Sequence, residues 1–308
     1  MTQGSRQNPS VCAVVVHYMG ADLTRACVES LLASPYRPLR VVIVDNASPD
    51  KPAGMFRELF PSCAIVENKE NLGYTGGANA GIRVALASGD DFALVLNNDT
   101  VCDPGMIPAL VRAALDHPRA GMLTPKILYH EPPDRLWYDG GHYSLFTGIP
   151  RHEGLNRRDD PRPCPPRVVS YITGCAPMIR LSAPGGDSLF DESLFHITED
   201  LDLCLRMRKA GRDLLYVPDA RIHHREGFAT KKHLGSARQL YLATRNLLRV
   251  HRKHASSVHS IVFYPWFATR WLLWQTVKHL IHGRFGMVSA MFRGVKDFIA
   301  GRGKPTDS

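Results

Sequence analysis

Leu94-Val95-Leu96-Asn97-Asn98-Asp99-Thr100 is the stretch on which the reading of this chain turns. Apolar residues from Phe92 to Leu96 run straight into small polar ones ending in a carboxylate. A buried strand delivers side chains in this way, because in open α/β sheets the ligand crevice lies at the strands' carboxyl ends. Asp99 is therefore a candidate metal ligand, and Asn97 and Asn98 are neighbours that hydrogen-bond without adding charge. The same residues also suit a plain turn after a core strand, where Asn and Asp bond to nearby backbone. This stretch alone leaves both readings open.

The segments around it repeat the pattern. Val11 to Val16 is an apolar run ending at His17-Tyr18 and reads as a central strand. Helical spacing follows from Asp22 to Ala33, with Asp22 as N-cap. Leu39 to Val44 is a second strand that also stops at a carboxylate, Asp45, followed by Asn46-Ala47-Ser48. A short helix (Gly54 to Phe60) and a third strand (Cys63 to Glu67) come next. The glycine-rich loop Glu70-Asn71-Leu72-Gly73-Tyr74-Thr75-Gly76-Gly77-Ala78-Asn79 then opens a helix through Ala87. Alternating strands and helices predict a mostly parallel sheet. Asp45, Asp99 and the glycine-rich helix start would then converge on one crevice, the last as a phosphate cradle of backbone N–H groups.

With those motifs in hand the chain resembles family 2 glycosyltransferases of the GT-A fold, in the rhamnosyltransferase-like branch. The resemblance rests on the ordered set already quoted. It continues at Gly140-Gly141, Thr173-Gly174-Cys175-Ala176, Phe190-Asp191-Glu192 and Ile197-Thr198-Glu199-Asp200-Leu201-Asp202, and ends near His223-His224. It implies a nucleotide-sugar pocket formed by His17, Asp45, Gly73, Gly77, Asn79, Asn97, Asn98 and Gly174, with Asp45 on the base or ribose. The family's Asp-x-Asp motif is here Asn97-Asn98-Asp99, which leaves Asp99 as the main acidic ligand of a divalent cation, Mg²⁺ or Mn²⁺. The late histidine near the diphosphate is His223 or His224, and alignment favours His224. The Glu199-Asp200 pair supplies the general base, Asp200, for a single displacement with inversion. The implied donor is a dTDP- or UDP-sugar, with rhamnose suggested by the branch, and the acceptor is a glycan or polyprenyl-linked saccharide. Taken without the resemblance, two carboxylates at a helix N-terminus also suit the helix dipole.

Composition agrees with an enzyme that carries an attachment surface. The 308 residues are 44% hydrophobic and 22% charged, a globular balance. Net charge is +9, but residues from Arg225 onward hold fifteen bases and three acids, +12, leaving −3 for residues 1–224. A uniformly basic nucleic-acid binder would not divide in this way, and no nucleic-acid partner is expected. Seven dispersed cysteines with no C-x-x-C pair fit a reducing compartment. The polar start MTQGSRQNPS has no apolar signal core, so a cytoplasmic location is expected.

We divide the chain into a catalytic domain, 1–227, and a basic, aromatic-rich helical region, 228–308. Glu131 to Arg167, rich in Pro, Gly and Arg, reads as loop: a lid, an acceptor-facing segment or a surface insert. Ser236 to His251 reads as a helix whose Tyr241, Arg245 and Asn246 resemble a Tyr-x-x-x-Arg-Asn pattern of the same branch. Ile261 to Trp274 is too short and interrupted for a membrane span. Its tryptophans Trp266, Trp271 and Trp274, interleaved with bases, suit a helix lying on the inner face of the cell membrane, and equally suit packing on the catalytic domain. Two rival functions are a nucleotidyltransferase, which would want a second Asp beside Asp99, and a lipid- or nucleic-acid-binding protein built around the basic tail.

Overall fold

The structure is a computed structural model describing residues 8–160, 162, 164–182, 189–225 and 235–302. The N-terminal residues 1–7, Pro161 and Pro163 of the middle segment, and the tail bases Lys231, Lys232 and Lys304 lie outside the described residues.

Val11–His17 form β1, buried along its whole length as a strand with both faces covered must be. It is followed by α1 (Ala21–Leu32), β2 (Leu39–Asp45), α2 (Ala53–Leu59), β3 (Ala64–Glu67), α3 (Gly73–Ala87) and β4 (Phe92–Asn97). A tight turn leads to β5 (Thr100–Cys102), then α4 (Met106–Asp116) and the long β6 (Ala120–Tyr129). The middle segment holds the short strands β7 (Leu136–Tyr138), β8 (Gly141–His142) and β9 (Arg151–His152), and β10 (Arg167–Val169) and β11 (Met178–Arg180) follow. α5 (Glu199–Lys209) and β12 (Asp213–His224) complete the sheet-forming part.

The main sheet runs β10-β12-β6-β11-β4-β1-β2-β3, with β5 on β12 and β7 on β6. β3, β2, β1 and β4 pair in parallel, as do β6 and β12. β11 is antiparallel to both β4 and β6, and joins the two parallel blocks. The chain moves outward from β1 to β3 and then returns to β4 on the other side of β1. The carboxyl ends of β1 and β4 therefore flank a topological switch point, where α/β sheets open a crevice. Register sets His17 beside Asp45 and Val16 beside Asn97 at that edge.

Two expectations change in detail. α1 is capped by Gly20 in a left-handed conformation, φ 86°, and Asp22 lies in the first turn. The glycine-rich stretch is not an open loop, because helix begins at Gly73 and contains Gly76 and Gly77. There the missing side chains admit close packing. A Cβ on Gly77 would lie 2.8 Å from Val16 Cγ1, and one on Gly81 would lie 2.1 Å from Val14 Cγ1. Glycine costs a helix about 0.5–1 kcal/mol per residue, offset here by bringing α3 onto β1.

The tail is helical: α6 (Gly235–His254), α7 (Ser257–Trp266), a π-helical stretch (Phe267–Leu273), α8 (Trp274–Ile281) and α9 (Phe285–Ile299). Pro265, which lacks an N–H, sits just before the π-helical stretch. No helix among the described residues is long and apolar enough to cross a membrane. Trp271 donates to Thr244 Oγ1 (3.0 Å) and Trp266 packs on the Leu247–Phe263 cluster, whereas Trp274 is exposed. All seven cysteines are free thiols.

Candidate active site

Asn97-Asn98-Asp99 form the turn between β4 and β5, closed by the Thr100 hydroxyl donating to Asn97 O (2.7 Å). β5 pairs antiparallel with the end of β12 and sets His224 opposite Thr100, next to Asp99. Both side chains are buried, and His224 Nε2 lies 3.1 Å from Asp99 Oδ1. Neither Asp99 Oδ1 nor His224 Nδ1 has a hydrogen-bond partner. Buried polar atoms are seldom left unpaired without a reason. Two ligands at ~2.1 Å and right angles about one cation stand ~3 Å apart, so the pair has the spacing of adjacent ligands. Among the described residues no cluster of three or more His, Cys, Asp or Glu forms a complete cage. One carboxylate and one imidazole could hold Mn²⁺ or Mg²⁺ only if substrate oxygens or water supplied the remaining ligands. His223 turns away, 3.6 Å from Asp103.

The other half of the site stands at the start of α5. Asp200 Oδ2 accepts from the Tyr171 hydroxyl (2.6 Å) and from Gly174 N–H (2.9 Å), while Oδ1 accepts from Leu201 N–H (2.7 Å). The side chain is half-buried. Burial raises the Asp200 carboxyl above the usual range, against the pull of these three donors. Glu199 is nearly fully buried and its Oε2 has no partner. Desolvation first, and the Asp200 charge second, push the Glu199 carboxyl up to about 8. Adjacent carboxylates thus separate: the one with three donors is the more easily ionised and the one without holds its proton. His196, 3.7 Å from Glu199, is pulled down to about 4 by burial and stays neutral.

A chain of contacts joins the halves. His224 packs edge-on against Trp137 (ring centroids 4.7 Å), Trp137 against His152 (4.6 Å), and His152 stacks on Tyr171 (6.0 Å), which holds Asp200. On the opposite side Asn97 N–H donates to Cys175 O (3.0 Å), one residue from Gly174, and the Tyr74 hydroxyl donates to Gly174 O (2.6 Å). Asp99, Glu199 and Asp200 all act electrostatically on that hydroxyl. Both halves therefore lie around Tyr74 and Gly174.

The remaining expected residues divide by what holds them. Asp45 is buried at the β2 end, where its Oδ1 accepts from Ser48 N–H (2.9 Å). Gly73, φ 70°, lies under Phe195, whose carbonyl a Cβ would approach to 2.4 Å. His17, fully buried, meets Thr24 Oγ1 at 2.6 Å, and Asn98 donates to the same oxygen and to Met19 O (2.9 Å each). Burial lowers the His17 pKa. Asn79 bonds Phe190 N and O and Glu192 Oε1. Gly77 packs on β1. In this structure the polar atoms of His17 and Asn79 and the amide nitrogen of Asn98 are taken up by protein partners.

Several residues here were not singled out for the site from sequence: Tyr74, Asn46, Trp137, His152 and Tyr171. Asn46 ties the glycine-rich region down, donating to Asn71 Oδ1 and Gly73 O and accepting from Asn68 and Leu72 N–H. Tyr171 lies two residues before Thr173-Gly174, close enough to that motif to have been flagged. Trp137 and His152 sit in the middle segment, whose described residues are built into the fold around fully buried Tyr138. A groove of about 740 Å³ shares His152 and is lined by Lys126, Arg157, Arg158, Asp159 and Arg167 among others.

The sequence profile of the family described as Glycosyl transferase family 2 matches residues 12–183. A relative named N-acetylglucosaminyl-diphospho-decaprenol L-rhamnosyltransferase, from Mycobacterium tuberculosis, is 32% identical over 237 residues, 70% of this chain and 76% of its own length. Among solved structures, S. aureus TarS 1–349 in complex with UDP-GlcNAc superposes with a TM-score of 0.62 at 13% identity, covering 94% of this chain and 80% of that one. GalNAc-T7 with UDP, GalNAc and Mn²⁺ gives 0.60 at 16% identity; the chain spans 48% of its length and 80% of this chain is covered. At these identities the structures establish the shared fold.

Proposed function

This chain belongs to glycosyl transferase family 2, and from that premise we propose that it is an inverting, divalent-cation-dependent transferase that moves a sugar, rhamnose in our reading, from a dTDP- or UDP-linked donor to a polyprenyl-diphosphate-linked saccharide. The observation that carries the proposal is the Asp99–His224 contact beside the Asp200 carboxylate held by Tyr171 and Gly174, with Tyr74 linking the two.

Each half has a separate task. Asp99 and His224 would hold the cation, which when bound supplies charge to stabilise the departing nucleoside diphosphate without protonating it. Asp45 lies at the β2 end, where the base or ribose would bind. Asp200 Oδ2, fixed by two donors, is oriented to take the proton from an acceptor hydroxyl as its oxygen attacks the anomeric carbon. Glu199 keeps its own proton near neutral pH, which leaves no second ionised carboxylate beside Asp200 for a covalent sugar intermediate. That supports single displacement and inversion. The acceptor would approach along the groove at His152, whose charged lining suits a polar, phosphate-bearing saccharide.

The tail supports a peripheral position on the inner membrane face. Leu273, Trp274, Ile281 and Phe285 are all exposed, interspersed with Arg270, Lys278 and Arg284, a composition that suits anionic lipid. The relative's name includes a decaprenol-linked substrate, and an acceptor of that kind would be held at such a surface.

The test is a screen of dTDP- and UDP-sugars for Mn²⁺-dependent thermal stabilisation, followed by transfer from the best of them to polyprenyl-diphospho-N-acetylglucosamine, with the product's anomeric configuration read by NMR. Stabilisation by dTDP-rhamnose and an inverted product are expected. Retained configuration, or release of pyrophosphate rather than nucleoside diphosphate, would overturn the proposal.

A further inference from the structure

The loop that presents Asp200 is strained. Phe195, Ile197 and Thr198 all have positive φ, 66°, 70° and 73°. None is glycine, and for β-branched Ile197 and Thr198 this is a strongly disfavoured conformation. Each such residue costs about 1–3 kcal/mol and persists only where its surroundings over-determine it. Thr198 does not help, since its hydroxyl caps nothing and is itself buried without a partner.

The surroundings that hold this loop come from the tail. Asn246 of α6, fully buried, directs its amide Nδ2 at three loop carbonyls: Leu194 O (2.9 Å), His196 O (2.9 Å) and Ile197 O (2.8 Å). Arg245, also fully buried, directs its guanidinium at Ser193 O (3.1 Å) and Leu194 O (3.2 Å), and its Nε donates to Asn246 Oδ1 (3.0 Å). A buried guanidinium with no ion-pair partner among its close contacts is costly, and here backbone carbonyls and neutral side chains satisfy it. The loop's other side rests on the donor half of the site, where Phe195 O accepts from Thr75 N–H (3.2 Å) and Phe195 covers Gly73. One short segment thus touches the glycine-rich helix start, the Glu199-Asp200 pair and α6.

We propose that Arg245 and Asn246 are positioning residues for sugar transfer, holding the backbone of residues 193–197 so that Asp200 stands at the acceptor. The idea rests on the reading of Asp200 as the base. It gives a task to a motif that lies outside the profile match at 12–183. It also makes the basic tail part of the catalytic machinery: α6 bonds the loop on one side and packs on α9 and the π-helical stretch on the other, through Tyr241–Asp297 (2.9 Å) and Trp271–Thr244 (3.0 Å).

The experiment compares full-length wild type, Asn246→Ala and Ser236→Ala, a change at an exposed position of the same helix that leaves the loop's bonds in place. Amide hydrogen exchange across 193–200 is measured together with kcat and KM for dTDP-rhamnose. For Asn246→Ala we expect exchange in the loop to rise by about tenfold or more and kcat to fall by roughly 10–100-fold, with the donor KM within twofold. Ser236→Ala should leave all three near wild type. Unchanged loop exchange in Asn246→Ala overturns the proposal, as does faster exchange with wild-type kcat, or an equal effect from Ser236→Ala. If Asn246→Ala does not fold, Asn246→Gln, which keeps both donors one methylene further out, carries the same comparison. A wild-type chain that transfers from no nucleotide-sugar would sink the functional reading instead, and the exchange result would still decide whether Asn246 holds the loop.

Discussion

His224 Nε2 stands 3.1 Å from Asp99 Oδ1, and yet that oxygen accepts no hydrogen bond. Two buried groups this close would ordinarily settle into a bond. Left unbonded, Asp99 Oδ1 and His224 Nδ1 are buried polar atoms that call for a reason. The sheet sets this proximity, because β5 pairs with β12 at Thr100 and His224, and both side chains are buried.

This yields a test of the pair itself. Asp99→Asn and His224→Ala should each abolish the Mn²⁺-dependent part of the thermal stabilisation by dTDP, and should lower kcat/KM by about 100-fold. Without metal and nucleotide, Asp99→Asn should melt no lower than wild type, since the amide keeps an acceptor and adds a donor that can bond the neighbouring imidazole. A full Mn²⁺ increment in Asp99→Asn would exclude this carboxylate as a ligand.

At the other half, Asp200→Asn should bind the donor normally and lose kcat by roughly 10²–10⁴-fold. Tyr171→Phe tests the support alone. Removing its hydrogen bond to Oδ2 takes away an interaction that lowers the Asp200 pKa, so the acid limb of the kcat–pH profile should move to higher pH. An unmoved limb would argue that Asp200 does not titrate in the transfer step.

Glu199 should leave its mark on stability. Its carboxyl is raised from 4.5 to about 8 in the folded chain, by desolvation first. The folded state therefore holds the proton more tightly, and this group's stabilising effect, complete below pH 4.5, is lost as pH rises toward 8. His196, lowered from 6.5 to about 4, acts in the opposite sense, with stability lost as pH falls from 6.5 toward 4. Glu199→Gln isolates the first effect: its melting temperature at pH 8 should exceed that of wild type by roughly 5 °C, and the gap should close toward pH 5. A constant gap across that range would show that Glu199 does not titrate there.

Sequence alone revealed the parallel block β1 to β4 of the sheet, but not β6, β11 or β12. Period and composition identify strands at Val11, Leu39 and Phe92, because parallel strands buried on both faces read as unbroken apolar runs. It also marked the carboxylates that end them, together with Glu199-Asp200. What it could not supply was the use of side chains that reach across the chain. Asn79 reads as a nucleotide contact in a glycine-rich loop, but its amide is fully engaged with Phe190 and Glu192. Trp137 and His152 read as loop residues because no periodicity marks a segment held by tertiary packing. Asn246 carries its signal only through three carbonyls about fifty positions away.

The helix glycines give a prediction about stability. Gly81→Ala places a Cβ 2.1 Å from Val14 Cγ1, and overpacking of this kind costs about 1–3 kcal/mol. Its melting temperature should fall, and Val14→Ala in the same chain should recover part of the loss, because the two sites share one contact. Additive losses in the double variant would mean that α3 does not depend on this close approach.

The tail's exposed face can be tested apart from catalysis. Ile281 is 76% exposed and Phe285 68%, an unusual state for large apolar side chains close together in sequence. Each contributes roughly 1.5–3 kcal/mol when buried, so Ile281→Glu combined with Phe285→Glu should weaken binding to phosphatidylglycerol vesicles by about 100-fold or more. Wild-type binding should also fall as salt screens Arg270, Lys278 and Arg284 from the anionic surface. Soluble-donor transfer should be little changed, since neither side chain touches the Asp200 loop. If vesicle binding is unaffected while sedimentation shows that the double variant loses self-association, the face is an interface between copies of the chain, and the membrane reading fails.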